Sequence, residues 1–386
     1  MNVNLLKKAL GCIVEPLAYW TLYPFSAFHF RKRNIHLISE RGTEARDNGY
    51  AMFRYYRTTH PEIECYYVIT NDSPDRRKVE ALGNVVRYRS LKHYCLFFGA
   101  KYKISTHLWG CAPHNAFYTR LSTWFPVQGK RISLKHGITK EDLCELYAEK
   151  AQLSLLISGA KPEYEYMKET FHYKGNEIRY TGFARYDGLH DARVKRQILV
   201  MPTWRAYLNK VSRNKIAHSD YVKAWNGLLH NDRLINALER YDIELLFYPH
   251  YQMQPYLDLF ASGSDRIIIA SFEHYDVQTL LKESALLVTD YSSVYFDFAY
   301  MMKPSVFYQF DIDAYYSMHR KKGYFDFETM GFGPVYQEEK ALVDEVIGEI
   351  ECDFAFQETY QKRAEEFFPL RDTHNCERIF EAIESL

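Results

Sequence analysis

Short apolar runs alternate with longer stretches of helical period almost from one end of the chain to the other. That is the rhythm of strand, helix and strand units laid around parallel sheets. In the first half the runs at 35–39, 65–70, 85–88, 103–106, 132–135 and 153–157 read as strands. A last one near 178–181 closes that half, and stretches such as 49–59 and 164–170 read as helices between them. From Asp187 to Arg196 (DGLHDARVKR) the apolar pattern lapses, as it does where a chain crosses between domains. It then starts afresh, with strands at 198–201, 243–248, 266–269, 286–289 and 305–308 and helical period from about Glu338 onward. The expectation is an α/β chain of two parallel-sheet domains facing a cleft. Ligands then belong where strand C-termini and helix N-termini converge.

The first residues break the rhythm. Residues 5–30 are mostly apolar and aromatic and are followed at once by Arg31, Lys32 and Arg33. A spanning helix needs about 20 apolar residues, and Glu15, Pro16 and Pro24 interrupt this run, while Tyr19, Trp20 and Tyr23 suit a headgroup interface. The segment 1–33 therefore reads as a membrane-interfacial anchor whose Lys and Arg face anionic lipid. The plainer alternative is an ordinary first helix packed on the protein. A cleaved signal peptide is disfavoured, because no small-residue cleavage site follows the broken apolar stretch.

Composition removes other classes. The chain has 386 residues, 47% hydrophobic and 25% charged, which suits two folded domains and not a disordered chain. Lys plus Arg and Asp plus Glu are both 49, so no global field draws it to nucleic acid, and an anionic ligand needs a local site. Seven scattered cysteines include no C-x-x-C pair, which fits neither a zinc site nor a disulfide framework. No clustered carboxylates call for a metal, and no cofactor is expected.

The candidate chemistry lies at strand ends. From Leu286 to Phe298 (LLVTDYSSVYFDF) an apolar strand stops at Thr289-Asp290, and Tyr291-Ser292-Ser293 leads into a helix, so Ser292 and Ser293 are placed to hold a phosphate. The bland reading is that the serines only cap that helix. Pro249-His250 ends another strand, where an imidazole can donate to phosphate or protonate a departing group. His136-Gly137 ends a third, with glycine allowing close approach to the backbone. Thr139-Lys140-Glu141-Asp142 reads as a capping sequence that starts another helix beside His136. Thr203 and Arg205, in Pro202-Thr203-Trp204-Arg205, offer a hydroxyl and a guanidinium after the strand at 198–201.

Asp290-Tyr291-Ser292-Ser293, then Phe296-Asp297-Phe298-Ala299, Lys303-Pro304, Phe307-Tyr308, Gly323-Tyr324-Phe325-Asp326-Phe327-Glu328 and Gly333-Pro334 resemble the C-terminal signature of the CDP-glycerol glycerophosphotransferase family of teichoic-acid synthesis. His136-Gly137, Pro249-His250, Pro202-Thr203-Trp204-Arg205 and Gly182 through Asp187 (GFARYD) resemble further elements of that family, over roughly residues 131 to 380. Two departures stand out: Lys135 precedes the His-Gly pair where members often carry Trp, with Ile138-Thr139 after it instead of Thr-Pro. In addition, Tyr251 replaces a second proline.

The resemblance implies a GT-B-like fold of two Rossmann-like parallel-sheet domains, 34–190 on the acceptor side and 191–386 binding the CDP-linked donor and carrying the C-terminal helices. It implies CDP-glycerol or a related CDP-polyol as donor, CMP as by-product and a lipid-linked or capsular glycan as acceptor. It also implies monotopic attachment to the cytoplasmic face of the cell membrane. By residue, it makes His136 the general base toward the acceptor hydroxyl and gives His250, Ser292 and Ser293 to the donor phosphates. Asp290 is expected to orient a histidine or a substrate hydroxyl, with helix capping as its alternative; Gly137, Thr139, Thr203 and Arg205 are expected to line the substrate. The length favours a priming or single-addition enzyme, or a small capsule transferase, over a long-chain polymerase. Two alternatives stay open: a GT-B transferase using a CMP-sugar, as sialyltransferases do, and a non-catalytic glycan-binding scaffold.

Overall fold

The computed structural model describes residues 3–30, 32–191, 193–318 and 322–386. Among the described residues thirteen strands form two sheets. The first contains β1 (Ile35–Ser39), β2 (Glu64–Ile69), β3 (Val85–Arg87), β4 (Tyr102–Ser105), β5 (Lys130–Ser133), β6 (Leu155–Ser158) and β7 (Ile178–Tyr180), in the order β3-β2-β1-β4-β5-β6-β7. The second contains β8 (Gln197–Met201), β9 (Glu244–Phe247), β10 (Ile267–Ile269), β11 (Leu286–Thr289), β12 (Ser305–Tyr308) and β13 (Val335–Tyr336), in the order β10-β9-β8-β11-β12-β13. Every pairing within them is parallel. Both follow the Rossmann order, in which strand sequence reverses beside the first strand. The reversal falls between β1 and β4 in one sheet and between β8 and β11 in the other.

β1, β4, β6, β8, β11 and β12 are buried at every position, as strands covered on both faces must be. That is why they read as apolar runs in the sequence. In the second sheet's core Trp225, on the helix Asp220–Leu229, meets Phe247 and Tyr308 edge-on or tilted. Ile198, Val200, Val288 and Val306 join Leu342 and Val346 of the helix Glu339–Glu351 in the same cluster. β13 escaped the sequence reading because a two-residue strand carries no period.

The chain divides into two compact units. One comprises Met1–Ile138, Cys144–Gly188 and Asp372–Leu386; the other comprises Thr139–Leu143 and Leu189–Arg371. The expected second domain ran through 386, whereas the last helix, Asn375–Glu384, belongs to the first unit. Polar clasps bind it there. Asp187 accepts from the backbone N–H groups of Asn375 and Cys376 and from Asn375 Nδ2 at 2.7–2.8 Å, and Arg378 donates to the Thr181 carbonyl at 2.9 Å. Gly182, at φ 77°, has to be glycine here, since a Cβ would lie 1.8 Å from Asn375 Oδ1.

The N-terminal segment is one helix, Val3–His29, with Pro16 and Pro24 inside it, so the residues that interrupt the apolar run do not interrupt the helix. One face packs on the first unit: Tyr19 sits in its core and donates to the Pro126 carbonyl at 2.8 Å, and buried Glu15 accepts from Tyr94 at 2.7 Å. The other face exposes Val14, Leu17, Trp20, Phe25 and Phe28. Among the described residues no helix is long and apolar enough to cross a membrane.

Candidate active site

In the first unit the chain leaves β1 into Glu40-Arg41 and β4 into Thr106-His107, on either side of the strand-order reversal. Arg41 Nε donates to His107 Nε2 at 2.9 Å, which leaves the ring proton on Nδ1, 2.8 Å from Thr106 Oγ1. Burial, with His136 and Arg41 adding to it, lowers the His107 pKa to about 2, so this ring stays neutral. His136, exposed just past β5, lies parallel to it with centroids 4.8 Å apart and 3° between planes.

The backbone under His136 is fixed. Lys135 is buried with φ 55°, a left-handed conformation that a lysine holds only when its surroundings dictate it. Its ammonium pairs with buried Glu163, whose other oxygen accepts from Ser158 Oγ and Gly159 N at 2.8 Å each. The Lys135 carbonyl accepts from Asn48 Nδ2 at 2.8 Å; Asn48 Oδ1 in turn accepts from Arg185 N at 3.0 Å. Burial lowers the Lys135 pKa and Glu163 opposes that.

Where a dinucleotide fold takes a phosphate, at the start of the helix after β1, this unit places its own carboxylate. Glu40 is fully buried and accepts from the N–H groups of Arg46, Asp47 and Tyr50 at 2.9 Å each, at the start of the helix Asn48–Thr59. Burial and then Asp47 push its pKa up to about 8, against those three donors. Gly49 permits the approach, since a Cβ there would stand 2.8 Å from Glu40 Cγ.

In the second unit the ends of β8 and β11 are locked together. Asp290, buried, accepts from Thr203 N at 2.9 and 3.1 Å, from Tyr291 N at 2.6 Å and from Arg205 Nη1 at 2.8 Å. Arg205 is also buried; it donates to the Thr203 carbonyl at 2.7 Å and forms a two-pronged pair with Asp311 at 2.7 and 3.0 Å. Tyr291 and Tyr315, stacked 3.6 Å apart, stand beside the guanidinium. Burial works against its charge, but Asp290 and Asp311 outweigh burial and raise its pKa. Thr203 Oγ1 is buried and, among the described residues, without a partner.

His250, after β9, extends this edge: its backbone N–H donates to the Pro202 carbonyl at 3.3 Å, beside Thr203. Its Nδ1 accepts from Gln252 N at 3.3 Å, which leaves Nε2 as the N–H donor of the neutral ring. Ser293 precedes the helix Val294–Tyr300 without a side-chain capping bond, and both serines are partly exposed, so capping does not consume Ser293. The helix expected at Thr139 is absent. Residues Thr139–Leu143 run with the second unit instead: Lys140 donates to the Tyr291 carbonyl and Glu141 bridges to Lys322. Tertiary pairing overrides the capping signal there.

The family model for CDP-glycerol:poly(glycerophosphate) glycerophosphotransferase matches residues 21–385. The chain belongs to that family. It is 32% identical over 367 residues to the minor teichoic acid biosynthesis protein GgaB of Bacillus subtilis (strain 168), covering 92% of this chain and 40% of that protein. It is 24% identical to the teichoic acid glycerol-phosphate transferase of Staphylococcus aureus (strain NCTC 8325 / PS 47), over 98% of this chain and all (100%) of the relative. The chain thus spans well under half of GgaB. Its fold is similar to that of the wall teichoic acid polymerase TagF, with a TM-score of 0.71 at 20% identity over 100% of this chain and 98% of that one. A UDP-GlcNAc 2-epimerase from Neisseria meningitidis shares the architecture at a TM-score of 0.56 and 12% identity. The GT-B-like class expected from sequence, two parallel-sheet α/β domains with a helical C-terminus, is the observed one.

Of the residues singled out in the sequence, Thr203, Arg205 and Asp290 are directly bonded in the second unit, and His250 stands on the adjoining strand end. Ser292 and Ser293 follow from Asp290 along the chain. His136 and Gly137 lie in the first unit, and Thr139 is buried in the segment that joins the second. Arg205, expected to meet a phosphate, is instead bonded on each of its nitrogens by the protein. The sequence reading missed His107, Arg41 and Asp311, and took Lys140 only as part of a helix cap. His107 carried a usable signal, because it follows its strand just as His136 follows β5.

Proposed function

We propose that the chain transfers glycerol phosphate, or a related polyol phosphate, from a CDP-linked donor to a hydroxyl of a teichoic-acid or related envelope glycan. Family membership supports this reaction class, as does the similarity to a teichoic acid glycerol-phosphate transferase. The observation that carries it furthest is the edge of the second sheet. There Asp290 fixes the turn bearing Thr203, and that hydroxyl, the His250 Nε2–H and the hydroxyls of Ser292 and Ser293 are donors suited to phosphate oxygens.

In this reaction the acceptor oxygen forms a bond to the β-phosphorus, the bond from that phosphorus to the bridging oxygen breaks, and CMP leaves with the electron pair. His136 takes the hydroxyl proton. His250 and the serines hold the donor phosphates, while Asp290 and Arg205 are assigned to positioning and not to direct contact with substrate. The chain works at the cytoplasmic membrane face, attached by the apolar outer face of its N-terminal helix.

The test is incubation with CDP-glycerol, CDP-ribitol and CMP-sialic acid in the presence of glycan acceptors, following CMP release. Acceptor-dependent release from CDP-glycerol is expected. Release from CMP-sialic acid alone, or from none of the three, would overturn the assignment.

A further inference from the structure

The first sheet carries two cations side by side. Lys103 of β4 and Arg131 of β5 are register partners, so their side chains leave the same face of the sheet. Both line a small cavity with Ser105, His107, Trp109, Gly110, Cys111 and Ser133, and no carboxylate lines it. Lys103 is 4% exposed; among the described residues its ammonium donates to the backbone carbonyls of Ala100 and Gln128 and lies 5.7 Å from the centroid of the Phe97 ring. Arg131 donates from Nη1 to the Ala151 carbonyl at 2.9 Å and lies with its guanidinium carbon 3.5 Å from the centroid of the Trp109 ring. Its Nη2 is buried and, among the described residues, has no partner.

Trp109 holds its place over the guanidinium from a left-handed backbone, φ 58°, which a tryptophan adopts only under constraint. Burial lowers the Lys103 pKa to about 7 and that of Arg131 to about 10, so Arg131 is the fixed charge and Lys103 is half-protonated near neutrality; the other groups acting on the two are Cys111, Tyr173 and, for Lys103, Arg131 itself, with no carboxylate among them. An arginine cannot shed its proton to escape such a place. Buried charge of one sign is found paired with an opposite charge.

We propose that this cavity binds one compact inorganic anion of chloride size, held by Arg131 Nη2 and Lys103 Nζ. The space suits an occupant of roughly the size of a water molecule and excludes a nucleotide or a sugar phosphate. An anion there joins the two strands across β4 and β5 and stabilises the first unit by binding its folded form alone. The site is separate from the phosphate-handling edge of the second unit, and its existence does not depend on the reaction assigned above.

The experiment uses the full chain in two salts of equal ionic strength, sodium chloride and sodium gluconate, with crystals soaked in sodium bromide alongside. Melting is expected about 2–4 °C higher in chloride, and an anomalous bromide peak is expected between Arg131 and Lys103. Arg131→Gln should abolish the chloride increment. If that variant does not fold, the bromide peak in the unsubstituted protein decides the matter alone. Equal melting in the two salts, or a chloride effect with no bromide peak in this cavity, would overturn the proposal.

Discussion

The imidazole rings of His107 and His136 lie parallel, 4.8 Å between centroids and 3° between planes, one half-buried and bonded to Arg41 and the other exposed. A neutral ring locked in one tautomer is a flat wall that limits how its neighbour can rotate. If His136 is the base, His136→Ala should lower CMP release by about 10²–10⁴-fold, the usual contribution of a positioned base, with donor affinity retained by calorimetry. His107→Ala should lower kcat by roughly 10- to 100-fold through misplacement. His107→Phe, which keeps the flat surface, should recover much of that loss. Full activity in His107→Ala beside an inactive His136→Ala would remove His107 from the mechanism.

The Arg205 guanidinium serves two carboxylates, Asp290 and Asp311, and all three groups are buried or nearly so. Removing the cation leaves two acids without their partner in a site closed to water, a loss of about 3–5 kcal/mol. Arg205→Met should therefore lower the urea midpoint of the second unit steeply, and it should release the Thr203 turn that Asp290 holds. Lysine cannot replace the fork, so Arg205→Lys should recover only part of the stability. A midpoint unchanged in Arg205→Met would show that the network is not load-sharing as its geometry requires.

His250 has its Nδ1 tied to the backbone of Gln252 at 3.3 Å, so the neutral ring carries its proton on Nε2, the atom proposed to meet the donor phosphates. A hydrogen bond to a charged phosphate contributes about 1.5–3 kcal/mol. His250→Ala should then raise KM for the CDP-linked donor by roughly 10- to 100-fold, while KM for the acceptor stays put. An effect confined to acceptor KM would move His250 to the other substrate.

Much of this was legible before any coordinates. Strands buried on both faces leave unbroken apolar runs, and the runs at 35–39, 286–289 and 305–308 coincide with β1, β11 and β12 residue for residue. The polar stretch from Asp187 holds the Gly188–Leu189 crossing between the two units for the same reason, because a crossing buries little. Partner choice was not legible. Arg205 reads as a free guanidinium until Asp311, 106 positions away, is brought to it. The helix Asn375–Glu384 has a clear period, yet only Asp187 and Thr181 tell which unit it joins. Thr139 to Asp142 carried a correct local signal that long-range pairing of Lys140 and Glu141 overrode.

Three histidines of the first unit are held neutral inside it, chiefly by burial: His36 with its pKa lowered to about 3, His93 to about 4 and His107 to about 2. In the unfolded chain each titrates near 6.5. As pH falls below that value the unfolded form takes up protons first, so the histidines' contribution is complete above about pH 6.5 and is lost toward pH 4. Glu40 and Glu349, with pKa values raised by burial to about 8 and about 7, protonate first in the folded form and oppose that loss near neutrality, so urea midpoints should fall from about pH 6 to pH 4.5 and change little between pH 7 and pH 6. His93 donates from Nε2 to the Cys111 carbonyl at 2.9 Å, a bond that a glutamine amide can replace. His93→Gln should reduce the slope by about one proton; an unchanged slope would show that His93 is not among the groups responsible.

The N-terminal helix presents two unlike faces. Glu15, Tyr19 and Ser26 are buried against the first unit, and Val14, Leu17, Trp20, Phe25 and Phe28 point the other way, with Trp20 70% and Phe28 78% exposed. The stripe recurs at helical spacing, so it is one continuous apolar strip and not scattered exposure. Trp124, 78% exposed, belongs to the same unit, and Lys32 and Arg33 follow the helix in sequence. A soluble surface gains nothing from such a strip, whereas a bilayer interface accepts aromatic rings at the headgroups and lysines toward anionic lipid. The protein should float with vesicles containing phosphatidylserine or phosphatidylglycerol and weakly or not at all with pure phosphatidylcholine. Leu17→Glu with Trp20→Glu should abolish flotation while transfer to a water-soluble acceptor continues, because neither side chain packs into the core. Flotation unaffected by the double substitution would mean that this face does not meet the membrane, and the strip would then need a protein to cover it.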